Sequence, residues 1–346
     1  MLTSLITDIP SCVFSSELGT IGFESDSEIV EITLSCAGSD LLTFTLFTYE
    51  GQTALHDLRD VIEENMRLKK NYCEVYSLSW QSTETVTKSF LVLYCESVMP
   101  LTLLDFHDKH FLSTLHTKKL SRQAQENLTY FALTGENTQK IWQAVIRMAD
   151  GTLERRSVKT TVSFAQTNGI QSVDVSHEAL KEVFSLDEEK ILSVLLSVGD
   201  RNFTLYFTDA VPSLRLNFRN IFGATEQCEL VASTTHKTEV ERAEASIEGK
   251  TTFYNQKVVR SHEAVTAPLS SMLREWINQL FMSHEVLVGN DDIIITDVSC
   301  EVTDDSSQVS SVKFTWRYAD NRPHVPSSLF KENDKIFTEV FSPQYT

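Results

Sequence analysis

The sequence predicts a mainly β protein of several domains, made of β-sandwich or β-sheet units, with one packed amphipathic helix in each terminal domain. Three observations predict it. Runs of alternating apolar and polar residues, rich in β-branched and aromatic side chains, recur along most of the 346 residues. Turn chemistry such as Ala149-Asp150-Gly151 and Gly199-Asp200-Arg201-Asn202 separates several of these runs. Helical periodicity, by contrast, is strong only in two places. At ~100–200 residues per domain the length suits two or three domains, and the pattern divides at 1–104, 105–212 and 213–346.

In the N-terminal domain, Ile29 to Thr48 holds two alternating runs around Ala37-Gly38-Ser39-Asp40, which reads as a hairpin. A helix is expected near 53–66, where Leu55, Leu58, Ile62 and Met66 share a face and Asp57, Arg59, Glu63 and Glu64 fall mostly off it. Strands resume at Cys73–Trp80 and Lys88–Cys95. The less regular stretch 101–120 reads as a connection.

The middle domain shows runs at 128–133, 141–148, 152–164, 172–175, 191–198 and 203–208, a spacing that suggests an immunoglobulin-like sandwich. In the last domain Leu269, Met272, Leu273, Trp276, Ile277, Leu280 and Phe281 form an apolar stripe, so a helix is expected near 267–284. Thr266 is its candidate N-cap, with Pro268 in the first turn. The run Val312 to Tyr318 alternates almost ideally, and its apolar face must pack. A faint echo sets Leu46-Phe47-Thr48 and Leu58–Ile62 against Tyr206-Phe207-Thr208 and Phe218–Phe222; chance is the plainer account, duplication the alternative. With 11 Gly, 7 Pro and no flexible linker, the domains are expected to pack directly.

A net charge of −18 repels phosphate backbones and anionic lipid, which disfavours specific nucleic-acid binding. The basic clusters are short: Arg67-Leu68-Lys69-Lys70, Lys118-Lys119 and Arg155-Arg156 read as ordinary exposed charges. Six scattered cysteines without a C-x-x-C pair read as reduced, core or near-core residues. Met1 to Asp8 lacks the features of a signal peptide, and no apolar run reaches the ~18–20 residues that cross a bilayer. Synthesis in the cytoplasm without membrane insertion is the expectation.

No nucleotide loop, nucleophile elbow, zinc-protease helix or EF-hand spacing occurs. His107, His110 and His116 with Asp105 and Asp108 could gather a metal ion, but interleaved Leu103, Leu104, Phe106, Phe111, Leu112 and Leu115 favour a packed connection. No catalytic residue, cofactor or metal site is therefore expected, and the chain reads as a non-enzyme.

Several motifs are familiar together: Phe218-Arg219-Asn220-Ile221-Phe222-Gly223, Lys250–Tyr254, Thr266-Ala267-Pro268-Leu269, Ile294-Ile295-Thr296-Asp297, and Phe314 to Pro323. In these the chain resembles structural proteins of bacteriophage and prophage tails of gut bacteria, best over 213–325. The resemblance implies a distal-tail, tail-tip or baseplate component located in the virion tail. Its partners would be itself, as a threefold or sixfold ring, and other tail proteins. Trp316, Arg317 and Arg322 are candidate interface anchors. The weightier reading of Trp316 alone is a core residue, with both arginines in solvent. A glycan- or receptor-binding β-sandwich and a tail-associated hydrolase are the alternatives.

Overall fold

The computed structural model describes residues 2–133, 137–163, 169–187, 189–300 and 309–320. The protein is mainly β and multidomain, as its sequence predicts. Contacts divide it into two compact units, Met1–Val231 with Glu275–Glu285, and Ala232–Arg274 with the chain from Val286 on.

The first unit begins with β1 (Thr3–Leu5), β2 (Cys12–Phe14), β3 (Ile21–Ser25), β4 (Ile29–Cys36), β5 (Ser39–Phe47) and β6 (Gln52–Leu55). Helix α1 (Leu58–Lys69), β7 (Cys73–Gln81) and β8 (Thr85–Leu93) follow. Five strands form a sheet in the order β2-β8-β7-β4-β5, and three more the order β1-β3-β6. The β4–β5 hairpin turns through Ala37 (φ 51) and Gly38 (φ 79), the paired left-handed residues that match strand twist. Leu58, Ile62 and Met66 of α1 are fully buried against Val30, Ile32 and Leu34 of β4. The helix starts at Leu58, not near Thr53, because Thr53 and Leu55 pair with Phe23 and Ile21 of β3. Leu55 reaches the core as a strand residue, and Asp57 (φ 60) makes the corner into the helix.

Next come α2 (Leu103–His107), β9 (Thr117–Ser121), β10 (Asn127–Ala132), β11 (Asn137–Arg147), β12 (Leu153–Ser163) and β13 (Gly169–Asp174). Helix α3 (His177–Phe184), β14 (Lys190–Val198), β15 (Arg201–Thr208), β16 (Leu214–Arg219) and β17 (Thr225–Leu230) complete this stretch. The order β12-β11-β14-β15-β9 makes a second five-stranded sheet, closed by a parallel β15–β9 pair. Residues 101–120 thus hold a helix and a strand as well as a connection. Helix α3 was hidden in the sequence by its eight-residue length; Ser176 caps it by accepting from the Ala179 N–H, and His177, Leu180 and Phe184 are buried. The internal echo fails structurally: Leu58–Ile62 is helical, whereas Phe218 and Arg219 close a strand.

Phe14, Phe106 and Phe222 meet with ring centroids 5.2–6.0 Å apart, in a core shared with Leu93, Leu112 and Phe131. At ~1.5–3 kcal/mol for each buried large apolar side chain, this cluster ties three distant stretches of sequence together. None of the six cysteines forms a disulfide; four are buried and two half-buried.

The second unit holds β18 (Ala232–Ile247), β19 (Lys250–Thr266), the first residues of α4 (Ser271–Met282), β20 (Val286–Val288), β21 (Asp291–Ser299) and β22 (Lys313–Tyr318). Its strands run β20-β21-β22-β19-β18. Helix α4 is shorter at both ends than the apolar stripe suggests. Thr266 is the last residue of β19, not an N-cap: its N–H donates to the Val312 carbonyl and its hydroxyl accepts from the Val312 N–H, both at 2.9 Å. A Leu269–Ser310 bridge then holds the chain extended past Pro268. Among the described residues, no helix is long and apolar enough to cross a membrane.

Candidate assembly surface

The longest element pair is the one least visible in the sequence. β18 and β19, of 16 and 17 residues, pair continuously from Ala232↔Thr266 to Ile247↔Lys250, with one bulge at Ala243/Glu244. At ~3.3 Å per residue the ribbon is about 50 Å long. It turns through Glu248 (φ 50) and Gly249 (φ 76), again the paired left-handed turn of a tight hairpin. Nearly every side chain from Ser233 to Gln256 is exposed on both faces. Ile247, Phe253 and Tyr254 near the tip are 60%, 54% and 71% exposed.

Among the described residues, contacts along the exposed part of this ribbon are these. The Arg242 guanidinium lies 5.0 Å over the Phe253 ring, and the Lys237–Glu239 and Lys257–Glu241 pairs are exposed, where ion pairs contribute little. A two-stranded ribbon with no covered face is marginal by itself in water. Its base is firmer. His262 stacks flat on Trp316 at 4.0 Å, meets Tyr318 edge-on at 5.5 Å, and shares an Nδ1–Nδ1 contact of 2.7 Å with His236 across the strands.

Trp316 is 4% exposed, so the structure places it in the core, anchoring the hairpin base. Arg317 lies on the other face of β22, opposite Ile294, and is half-buried. Arg322 lies outside the described residues. Trp316 and Arg317 thus lie on opposite faces of β22. The ribbon's exposed aromatic residues are Phe253 and Tyr254, whose sequence signal was the Glu248-Gly249 turn between two equally polar runs.

A second site is fully buried. Lys118 Nζ lies 2.5 Å from Glu126 Oε2 and 3.6 Å from Glu226 Oε2, and 4.9 Å over the Trp276 ring. This overturns its reading as an ordinary exposed charge. Trp276 Nε1 donates to Glu226 Oε2 at 2.8 Å, and Asn220 Nδ2 donates to Glu226 Oε1 at 2.6 Å. The Gln227 N–H donates to Glu126 Oε2 at 3.2 Å. The cluster carries one cation and two carboxylates, each hydrogen-bonded, so it pins β9, β17 and α4 together.

Burial, helped by neighbouring Glu226 and opposed by Lys118, pushes the Glu126 carboxyl up to about 7. Burial also pushes the adjacent Cys228 thiol up to about 12. A carboxyl whose folded value lies above its unfolded value stabilises the fold fully only below the unfolded value, and that contribution is lost as pH rises through about 7. The protein is accordingly expected to lose stability from this group between pH 5 and 8, by on the order of 2–3 kcal/mol. Glu126→Gln should flatten that slope, as urea unfolding of both proteins across this pH range would measure. An unchanged slope in the variant would contradict the assignment.

The clustered histidines near α2 have other partners. His107 Nδ1 lies 2.6 Å from the Leu104 carbonyl and Nε2 2.9 Å from Asp108 Oδ1. His110 stacks on Phe106 at 4.9 Å and sits 5.7 Å from the His116 ring; burial and His116 hold its imidazole below the usual range. Among the described residues, no three His, Cys, Asp or Glu side chains converge as metal ligands.

No protein-family model and no curated protein matches the chain. Among solved structures, it is similar to the full extracellular region of plexin A4, at 10% identity and a TM-score of 0.20, over 93% of this chain and 40% of that one. It is also similar to the calcium-binding domain CBD12 of CALX1.1, at 9% identity and a TM-score of 0.15, over 57% of this chain and 79% of that one. The chain spans well under half of the plexin region. Likenesses of this size say nothing of what the protein does.

Proposed function

We propose that this chain is a non-catalytic structural component of a bacteriophage or prophage tail, of the distal-tail, tail-tip or baseplate kind. It works by assembling with copies of itself into a closed ring and with other tail proteins. The observation that carries the assembly reading is the β18–β19 ribbon. Two dozen residues, Ser233–Gln256, held in a regular ladder with both faces in solvent bury too little apolar surface to offset their ordering, unless a partner covers them. Exposed strand edges and aromatic tips are what strand-adding interfaces use. The tail assignment itself rests on the resemblance over 213–325.

Negative-stain electron microscopy of the purified protein near neutral pH tests this. Uniform closed rings, threefold or sixfold, are expected. A variant in which Thr238–Arg260 is replaced by a two-residue Asn-Gly turn should lose them while the first unit keeps its unfolding midpoint. Compact monomers of the intact protein at high concentration would overturn the reading. Turnover of a cell-wall polysaccharide by those monomers would point to a hydrolase instead.

A further inference from the structure

We infer that the outer edge of β5 takes, as an added strand, the outer edge of β12 (Leu153–Thr161) from a second copy of this chain. The inference rests on the assembly reading and names two surfaces that meet. Both strands end a five-stranded sheet; among the described residues β5 is bonded to β4 alone and β12 to β11 alone. An unpaired strand edge presents a row of N–H and C=O groups that another chain can complete. Charges and prolines along an edge usually prevent this. β5 has neither from Leu41 to Thr48, and its Leu42 and Phe47 are exposed.

Charge selects the strand that fits. In a chain of net charge −18, copies repel one another at most approaches. β12 is locally basic. Arg155 and Lys159 are exposed on its solvent face, where their neighbours on β11 are Val145 and Ile141. Arg156, on the other face, is already paired with Glu154 at 2.8 Å. The solvent face at β5 carries exposed Asp40, and exposed Glu31 opposite Thr45 on β4. Among the described residues, Arg155 and Lys159 are in ion-pair reach of no carboxylate, and Asp40 and Glu31 of no cation. Here the general repulsion reverses.

Spacing agrees with charge. Asp40 pairs with Ser35, which stands four residues from Glu31 along β4, and Arg155 stands four residues from Lys159 along β12. Both separations are ~13 Å. An antiparallel register with Leu153 against Phe47 sets Ser157 against Thr43 and Arg155 against Thr45, beside Glu31. It also brings Lys159 to Asp40 at the β5 bulge. Leu153 and Phe47, 63% and 74% exposed, then cover each other. Because the two edges belong to different sheets of the first unit, the contact is heterologous, the kind that closes into rings by repetition.

A charge-reversal cycle tests it. Arg155→Glu with Lys159→Glu reverses the β12 edge, and Glu31→Lys with Asp40→Lys the β5 edge. All four side chains are exposed, so the variants should keep the parent's unfolding midpoint. Each double variant should weaken self-association by on the order of 100-fold, from like charges facing one another. The quadruple variant again sets opposite charges face to face and should recover the parent's association. Asp40 also accepts from the Ser35 hydroxyl at 2.7 Å, so Glu31→Lys and Arg155→Glu, singly and together, repeat the cycle without it. Sedimentation velocity of the intact chain reads every species. If the double variants assemble like the parent, the edges are wrong although assembly stands. If the double variants dissociate and the quadruple variant stays apart as well, the two edges do not face each other. A monomeric parent overturns this inference together with the reading it rests on.

Discussion

Lys118→Met is expected to destabilise the first unit by about 3–5 kcal/mol, the usual cost of removing one partner from a buried ionic group. Methionine fills similar space, so the loss is electrostatic, not a cavity. It strands Glu126 and Glu226 beside each other, with Lys118 no longer between them. Asn220, Trp276 and the Gln227 N–H still donate to them, but no cation remains within the cluster. Protonating one carboxyl relieves the repulsion, so the deficit should shrink as pH falls. Urea unfolding at pH 8 and pH 5 measures both effects. A variant as stable as the parent at pH 8 would mean that the carboxylates find solvent or another cation on losing Lys118.

Gly223→Ala should cost about 2–4 kcal/mol, from ~1 kcal/mol of backbone strain and ~1–3 kcal/mol of overpacking. Gly223 sits at φ +72, and a Cβ there would come within 2.2 Å of Tyr72 Cδ1 and 2.9 Å of Tyr72 Cβ. Tyr72 has little room to yield. Its carbonyl accepts from the Tyr94 N–H at 2.9 Å, its ring meets Tyr94 edge-on at 5.3 Å, and Arg219 covers it at 5.3 Å. Gly249→Ala is the control. Its φ of +76 is nearly the same, yet a Cβ there has nothing within 4 Å. That variant should lose about 1 kcal/mol or less. Thermal unfolding of the pair separates the clash from the backbone term. Equal losses would remove the Tyr72 contact from the account.

What could be read from the sequence follows how strongly burial marks a segment. β4, β14 and β22 each turn one face to a core, so their apolar residues alternate and the strands are plain in the sequence. The stripe of α4 is as clear, because Trp276, Ile277 and Leu280 are all buried. Where both faces meet water, nothing forces alternation, and β18 and β19 passed unseen despite being the longest strands. Helix boundaries moved for a related reason. Leu55 fits a helical spacing and Thr266 a capping position, but cross-strand partners claimed both. The burial of Lys118 had no local signal at all, since its carboxylate partners stand 8 and 108 residues away. As for the assembly surface, Trp316 lies in the core with Arg317 on the other face of its strand, and the long ribbon came only from the strand pairing.

The return of Glu275–Glu285 to the first unit has a consequence for biosynthesis. A ribosome must translate all of β18 and β19 before it delivers Trp276, so Glu226 waits roughly fifty residues for the indole that hydrogen-bonds it. Until then the nascent first unit carries a buried carboxylate short of one donor. Completion of the first unit's buried polar cluster is thus deferred until the ribbon has been translated, so any copy that folds fully has its arm made.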